Sequence, residues 1–274
     1  TIEYTYSFHM GYALMQLHNY KKALTYLLPL KTQHNSPYTL QASYYAGYCH
    51  YNLKEYNKAL VEFLSLEHVG GYRKIAPYYV VQIHYALSEY EEVLERAERL
   101  LADFPDNEYN DELHRMIGEI YYQDSIYDKA AYHLEQYHKL RVAKGRQILR
   151  NDLYLLGISN YSIEQYSQAI NYLKQVKQEN DSISESTCLH LGHSYLRANN
   201  LEKAILAYAA AIQFDINPIL REEAMYNYVQ ATYLQNSALG ENITAFQTFI
   251  QEYPKSRYID RVYALMADIY LTSK

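Results

Sequence analysis

Apolar and small residues recur along this chain with the period of an amphipathic helix. In the segment from 55 to 66, Tyr56, Ala59, Leu60, Phe63 and Leu66 follow one another at steps of 3, 1, 3 and 3, which places them on one helical face. A slower rhythm overlies this one. Small residues come in pairs 12 positions apart: Gly11 and Ala23, Gly47 and Ala59, Gly118 and Ala130, Gly157 and Ala169, Gly192 and Ala204, with Val81 and Val93 in the same two slots. The first members of successive pairs lie 36, 34, 37, 39 and 35 residues apart. A fixed inner spacing with a drifting outer one predicts a rigid contact within each unit and loops of variable length between units. Stretches such as TLQASYYAGYCHY and HRMIGEIYY precede the first small residue and a second helical pattern follows it, so each unit is predicted to be two helices. Gly or Ala at the paired slots lets two helix backbones approach closely. Helices this short are marginal alone in water, so each hairpin must cover its apolar stripe with the next copy.

The segments NYKKAL (19–24), EYNKAL (55–60), EYEEVL (89–94), IYDKAA (126–131), QYSQAI (165–170) and NLEKAI (200–205) open the second helix of each unit. With the period near 34 and the small-residue pairs, they resemble tetratricopeptide repeats. The resemblance runs from about residue 4 to 271. It implies an all-α chain, a right-handed superhelix (α-solenoid) of about seven to eight antiparallel helix-turn-helix repeats. The expected array is a single one over 1–274, with units at about 4–39, 40–73, 74–110, 111–149, 150–184, 185–221 and 222–259 and a half unit at 260–274. The seventh unit departs from the pattern: Val229 and Ala245 are 16 apart, so QNSALGEN (235–242) is expected to hold about four extra turn residues. FPDNEYND (104–111) and YPKSRYID (253–260) share an aromatic-Pro start, Asn or Ser, Tyr and Asp, and look like long-repeat members from the envelopes of Gram-negative bacteria. That likeness carries an expectation of the periplasm or cell envelope.

In such an array the first helices line the concave side. With each unit starting seven residues before its first small slot, the fifth, ninth and twelfth positions point inward. Phe8, Tyr44, Tyr78, Arg115, Tyr154, Leu189 and Tyr226 fill the fifth; Met15, Tyr51, Tyr85, Tyr122, Tyr161, Leu196 and Tyr233 the twelfth; Tyr12 and Tyr48 add to the ninth. The candidate ligand-binding groove is therefore Tyr12, Tyr44, Tyr48, Tyr51, Tyr78, Tyr85, Tyr122, Tyr154, Tyr161, Tyr226, Tyr233 and Arg115. Two readings of these rings stand together. They pack between adjacent first helices with wet hydroxyls, and they offer an extended peptide, or a glycan, a surface for stacking and hydrogen bonding. The clamp of Lys, Asn and Arg that grips a terminal carboxylate in this family is absent, since Thr5, Phe8 and Tyr12 occupy its first slots.

Composition narrows the partner. The 274-residue chain carries 35 Tyr against 6 Phe and no Trp, which points to tyrosine as the recognising ring. A net charge of -6 argues against a nucleic-acid partner, which usually calls for a basic footprint. No apolar run reaches the roughly 20 residues of a membrane helix. Lys139, Arg141, Lys144, Arg146 and Arg150 gather in KLRVAKGRQILR, read either as a solvated helix end or as a site for an anionic partner. Cys49 and Cys188, 139 positions apart, are expected to be buried free thiols. The chain starts at Thr1 and both ends fall inside the repeat pattern, so it is expected to be cut from something longer.

No phosphate-binding, dinucleotide, nucleophile-elbow or zinc-protease motif is present. CLHLGH (188–193) sets His190 and His193 three apart beside Cys188 without a second converging pair, so these are expected to be ordinary helix residues rather than a metal site. The chain is expected to be a non-enzymatic scaffold without cofactor that binds a protein or peptide segment, or alternatively a glycan-handling envelope component.

Overall fold

The computed structural model describes residues 2–33, 35–235 and 239–272. Among them are fifteen α-helices and no strand: α1 (Ile2–Gln16), α2 (Tyr20–Thr32), α3 (Thr39–Asn52), α4 (Tyr56–Leu64), α5 (Ile75–Ala86), α6 (Tyr90–Asp103), α7 (Asn110–Gln123), α8 (Tyr127–Ala143), α9 (Arg150–Ser162), α10 (Tyr166–Leu173), α11 (Ser182–Arg197), α12 (Leu201–Ile212), α13 (Pro218–Leu234), α14 (Leu239–Glu252) and α15 (Ile259–Thr272). The all-α expectation holds. Of QNSALGEN (235–242), expected to hold about four extra turn residues, 239–242 instead form the start of α14, and 236–238 lie outside the described residues.

The chain divides into two compact units, one ending at Ile120 and one beginning at Tyr121. In the first, α1 to α6 pack each on the next, and α1 also touches α3. In the second, α8 to α15 do the same, and α9, α11, α13 and α15 meet as successive first helices. Each unit is a stack of helical hairpins, the layered arrangement of an α-solenoid.

The small residue in each first helix is required by a side chain, and that side chain is not the paired Ala. A Cβ on Gly11 would sit 2.7 Å from the Leu27 side chain, on Gly157 2.4 Å from Leu173, on Gly192 2.5 Å from the Tyr208 ring, and on Gly47 3.0 Å from Phe63. The partner in every case lies sixteen positions on, one helical turn past the Ala. Leu27, Phe63, Leu173 and Tyr208 are fully buried there. At Val81 the sixteenth position is Ala97, and both are fully buried, so bulk has moved from the second helix to the first. The paired Ala residues are also fully sealed, which keeps the backbones close enough for the larger knob to seat.

The turns between the two helices are as invariant as that contact. His18, Lys54, Ser88, Ser125, Glu164 and Asn199 all adopt φ between 57° and 63°, each seven residues after the small slot. The next residue's N–H reaches back across the turn, as in Asn19 to Leu14 O (2.8 Å), Glu55 to His50 O (2.9 Å) and Gln165 to Asn160 O (2.9 Å). This closes the first helix in a Schellman-type cap without a glycine.

Between hairpins, polar and aromatic groups lock one repeat to the next. Tyr38, Tyr109 and Tyr258, each the last residue before a first helix, stack on the fifth-slot ring of the preceding unit: Tyr38 on Phe8 (centroids 4.4 Å apart), Tyr109 on Tyr78 (4.4 Å) and Tyr258 on Tyr226 (4.0 Å). The two Pro-containing segments place their rings with matching turns. Asn107 N–H bonds Phe104 O (3.1 Å), as Ser256 N–H bonds Tyr253 O (3.0 Å). Glu185 is buried and accepts from the backbone N–H of Ile216 (3.2 Å) and Asn217 (3.0 Å) in the following loop. Tyr137 donates to the buried Asp152 (2.7 Å). Arg150 grips Asp181, the N-cap of α11, through two bonds of 2.8 Å. That pair and the Ser184 N–H hold the Asp181 carboxyl well below the usual carboxylate range.

Two outcomes follow from this packing. Gly157→Val lowers the stability of the chain by about 1–3 kcal/mol through overpacking against Leu173, and adding Leu173→Ala restores much of the loss because it recreates the Val81 and Ala97 arrangement; thermal unfolding followed by circular dichroism reads both. Because the Asp181 pKa is depressed in the folded chain, its contribution is present above the model-compound value of 3.8 and is lost as pH falls below it. Asp181→Asn therefore melts below the wild type at neutral pH, and the difference shrinks under acid; a gap unchanged from pH 7 to pH 3 contradicts the assignment.

Candidate functional site

The first helices of the first unit carry an unusual surface. Together α1, α3 and α5 hold ten tyrosines and, of Lys, Arg, Asp and Glu, Glu3 alone. The structure brings Tyr12, Tyr44, Tyr48, Tyr51 and Tyr78 into one set of ring contacts linked by two further tyrosines, Tyr45 and Tyr79, while Tyr85 packs on Tyr90 instead (6.0 Å). Tyr45 lies 5.2 Å from Tyr12 and 5.3 Å from Tyr44, both edge-on. Tyr79 stacks on Phe63 at 4.7 Å and meets Tyr44, Tyr48, Tyr51 and Tyr78 edge-on at 5.5 to 6.2 Å. Both linking rings occupy the sixth slot, next to the predicted fifth. The adjacent slot was visible in the sequence as the repeated Tyr-Tyr of Tyr44-Tyr45 and Tyr78-Tyr79.

The hydroxyls fall into two groups. Gln82 donates to Tyr78 (2.8 Å), Tyr44 and Tyr79 share a hydrogen bond, and Tyr85 donates to Glu119. Burial pushes the Tyr44 and Tyr78 hydroxyls up to about 12, so they remain neutral donors. Tyr12, Tyr45 and Tyr48 make ring contacts but no hydroxyl bond among the described residues. Met15, Gln16, His18, Tyr44, Tyr45 and Tyr48 enclose a pocket of about 200 Å³. Tyr12, on the same helix as Met15 and edge-on to Tyr45, is 38% exposed, which leaves its ring open to a ligand.

Arg115 is not a free inward cation. It bonds Glu112 (2.9 Å) and Glu119 (2.6 Å) and lies 6.0 Å from the Tyr85 ring centroid. Burial pulls its guanidinium down, but Glu119 and Glu112 outweigh that and hold it above its ordinary value.

In the second unit Tyr122, Tyr154, Tyr161, Tyr226 and Tyr233 are all engaged. Tyr122 meets Tyr127 at 5.7 Å, Tyr154 shares a hydrogen bond with Ser186 (2.9 Å), and Tyr233 donates to Asp268 (2.5 Å). Tyr226 accepts from Gln230 (2.7 Å) beneath the stacked Tyr258. Tyr161 lies against His190 (4.8 Å) and His193 (6.0 Å).

His193 bridges Tyr208 (Nδ1, 2.9 Å) and Glu223 (Nε2, 3.2 Å), a carboxylate–imidazole–hydroxyl chain. Its hydroxyl end is fully buried over Gly192, so no substrate can reach it. The His193 bond holds the Glu223 carboxyl below its usual range, and burial pushes His190 down, its Nδ1 lying 2.7 Å from Ser186 O. Among the described residues no group of three or more His, Cys, Asp or Glu is placed to hold a metal ion. Cys49 and Cys188 are free and buried, and burial pushes both thiols up, to about 12 and about 11. Of the basic cluster, Arg150 is committed to Asp181 and Arg141 donates to Gln147 O (3.1 Å), so these two serve the fold. No described helix is long and apolar enough to cross a membrane.

No protein-family model and no curated protein sequence matches the chain. Solved structures do. YrrB, a TPR protein with an unusual peptide-binding site, superposes with a TM-score of 0.57 at 17% identity over 74% of this chain and 97% of its own. A tetratricopeptide repeat protein from Parabacteroides merdae gives 0.53 at 12% identity, covering 97% of this chain and 100% of its own. The C-terminal part of a TPR repeat-containing protein from Cytophaga hutchinsonii gives 0.54 at 15% identity over 93% and 98%. With its paired helices, invariant turns and small-residue interlocks, the chain has the fold of the tetratricopeptide-repeat proteins.

Proposed function

We propose that this chain is a non-catalytic protein–protein interaction scaffold that holds an extended protein segment on the tyrosine-bearing first helices of its first unit. One observation carries the reading: the 200 Å³ pocket at Met15, Gln16, His18, Tyr44, Tyr45 and Tyr48 is lined by two tyrosines, Tyr45 and Tyr48, whose hydroxyls have no hydrogen-bond partner among the described residues. Half-buried tyrosines with free hydroxyls beside a concavity suit a ligand that stacks on the rings and hydrogen-bonds their polar ends. Tyrosine also supplies contact area at low entropic cost, because only two side-chain torsions are fixed. The peptide-binding site of YrrB, on the same fold, supports the assignment by analogy. The remaining tyrosines of the predicted groove serve as inter-repeat contacts in this reading. The cell envelope is the compartment it names, on the likeness of segments 104–111 and 253–260 alone.

Selection of a displayed random-peptide library against the intact 274-residue chain, followed by calorimetry with a synthetic copy of the enriched peptide, tests the proposal. Truncating Tyr12 and Tyr45 together to Ala is expected to weaken binding by about tenfold or more, as at interface hot spots, with helical circular dichroism retained. Equal affinity of the wild type and this variant removes the site; if the double variant loses helicity, Tyr12→Ala alone carries the test.

A further inference from the structure

We infer that α15 is a docking surface for an amphipathic α-helix of a partner protein, one that carries Ala and, four residues on, an aliphatic side chain such as Leu. The surface lies in the second unit and is separate from the tyrosine pocket of the first, so the inference goes beyond the scaffold reading.

The other first helices define the face in question. The positions four before the small slot, at it and three after it share one stripe of a helix, and that stripe is turned to the second helix of the same hairpin. The slot seats the second-helix knob, and His50 and His84, three after it, bond Glu55 (2.6 Å) and Glu89 (2.5 Å), the N-caps of α4 and α6. Ser43, Gly47 and His50 on α3 and Leu153, Gly157 and Asn160 on α9 are all buried, and none of the three positions is exposed on α1, α5, α11 or α13.

On α15 the same stripe is bare. Ala267 holds the small slot, and Tyr263, Ala267 and Tyr270 are all exposed, the two rings at 52% and 47%, with Leu271 beside them at 74%. The opposite side is spent: Val262, Leu265 and Ile269 are buried in a core with Val229, Phe246 and Phe249. Asp268 lies off the stripe and accepts from Tyr233 (2.5 Å). The helix is thus held by one face, while the uncharged face that elsewhere seats a second helix meets solvent.

The repeat also specifies the occupant. A helix offers no free backbone edge to a strand, and anchors at i, i+4 and i+7 are read by another helix. The knob follows from bulk. Where the slot is Gly, the residue sixteen on is Leu27, Phe63, Leu173 or Tyr208; where it is Val81 or Val229, that residue is Ala97 or Ala245. Ala267 stands between Gly and Val in size, so its knob stands between Tyr and Ala, an aliphatic chain placed four residues past a small one, as Leu173 is past Ala169. The pairs of this kind in the chain, such as Ala23 with Leu27 and Ala169 with Leu173, are already fully buried, so a second copy has none to lend without opening its own hairpin. The helix therefore comes from a different protein.

Fluorescence anisotropy of a hydrocarbon-stapled peptide copying residues 165–176, with Ala169 and Leu173 in place, against the intact chain is the test. The peptide is expected to bind about tenfold or more tighter than the same peptide with Leu173 replaced by Ala. Ala267→Arg in the protein is expected to cost a similar factor and, because the position is exposed, to leave the thermal melt unchanged, while Tyr12→Ala leaves the affinity as it was. Equal binding of the Leu and Ala peptides, or affinity that ignores Ala267→Arg, overturns the inference. So does a molecular mass of the chain alone that rises with concentration and falls back on Ala267→Arg, because a second copy then covers α15. Binding lost on Tyr12→Ala but kept on Ala267→Arg assigns the peptide to the tyrosine pocket and equally removes α15, leaving the scaffold reading in place.

Discussion

The fold depends on one contact, the seating of a second-helix side chain over a missing Cβ in the first helix. Leu27 over Gly11, Phe63 over Gly47, Leu173 over Gly157 and Tyr208 over Gly192 repeat it with different knobs. The helices range from 8 to 17 residues, too short to be stable alone, so the geometry of this contact decides how each hairpin closes. It also explains why the inner spacing does not drift. The left-handed residue sits seven positions after the small one in six turns, and any insertion there would slide the knob out of its hole. The non-glycine residues at those φ values are held there by the contact and the cap together, since a side chain in that region is disfavoured by itself.

Much of this could be read from the sequence, and what escaped did so for definable reasons. The twelve-residue pairs marked the first six hairpins, while the α13–α14 hairpin and α15 lie beyond them. The sixteen-residue pairing was equally present in the letters, as the exchange of Gly47 and Phe63 for Val81 and Ala97 shows, but it appears only when bulk is compared across two helices. Arg115 looked like an inward cation because slot position says nothing of neighbours; Glu112 and Glu119, three before and four after it on the same helical face, neutralise it. The tyrosines were the least legible. A tyrosine is half apolar and half polar, so periodicity places its Cα but not which face is covered, and for Tyr78 and Tyr226 the covering ring comes from a loop about thirty residues away.

Those loops show why tyrosine rather than phenylalanine suits a repeat junction. Each stacked ring must be apolar on its faces yet lie at a repeat junction where its edge meets water or a polar group, a demand that a hydroxyl meets and a bare phenyl does not. Burial keeps the hydroxyls of Tyr44, Tyr78 and Tyr51 protonated by raising their pKa, so the network donates hydrogen bonds without acquiring charge. These phenols stay neutral through the physiological pH range. The scarcity of Lys, Arg, Asp and Glu separates the first helices from the charged second helix α6 in the same unit.

The position of the candidate site follows from the same lattice by omission. The twelfth-slot group of one repeat meets the ninth-slot group of the next. Where the ninth slot offers a carboxylate, the tyrosine hydroxyl is consumed, as in Tyr85 with Glu119 and Tyr233 with Asp268, and where it offers an imidazole, Tyr161 packs on His193. Between the first two repeats the slots hold Met15 and Tyr48, a thioether and a phenol, which line one pocket and give the hydroxyl no strong acceptor. This junction thus places the Tyr48 hydroxyl, which has no hydrogen-bond partner among the described residues, beside the pocket. A ligand there meets helices on which Glu3 is the one Lys, Arg, Asp or Glu.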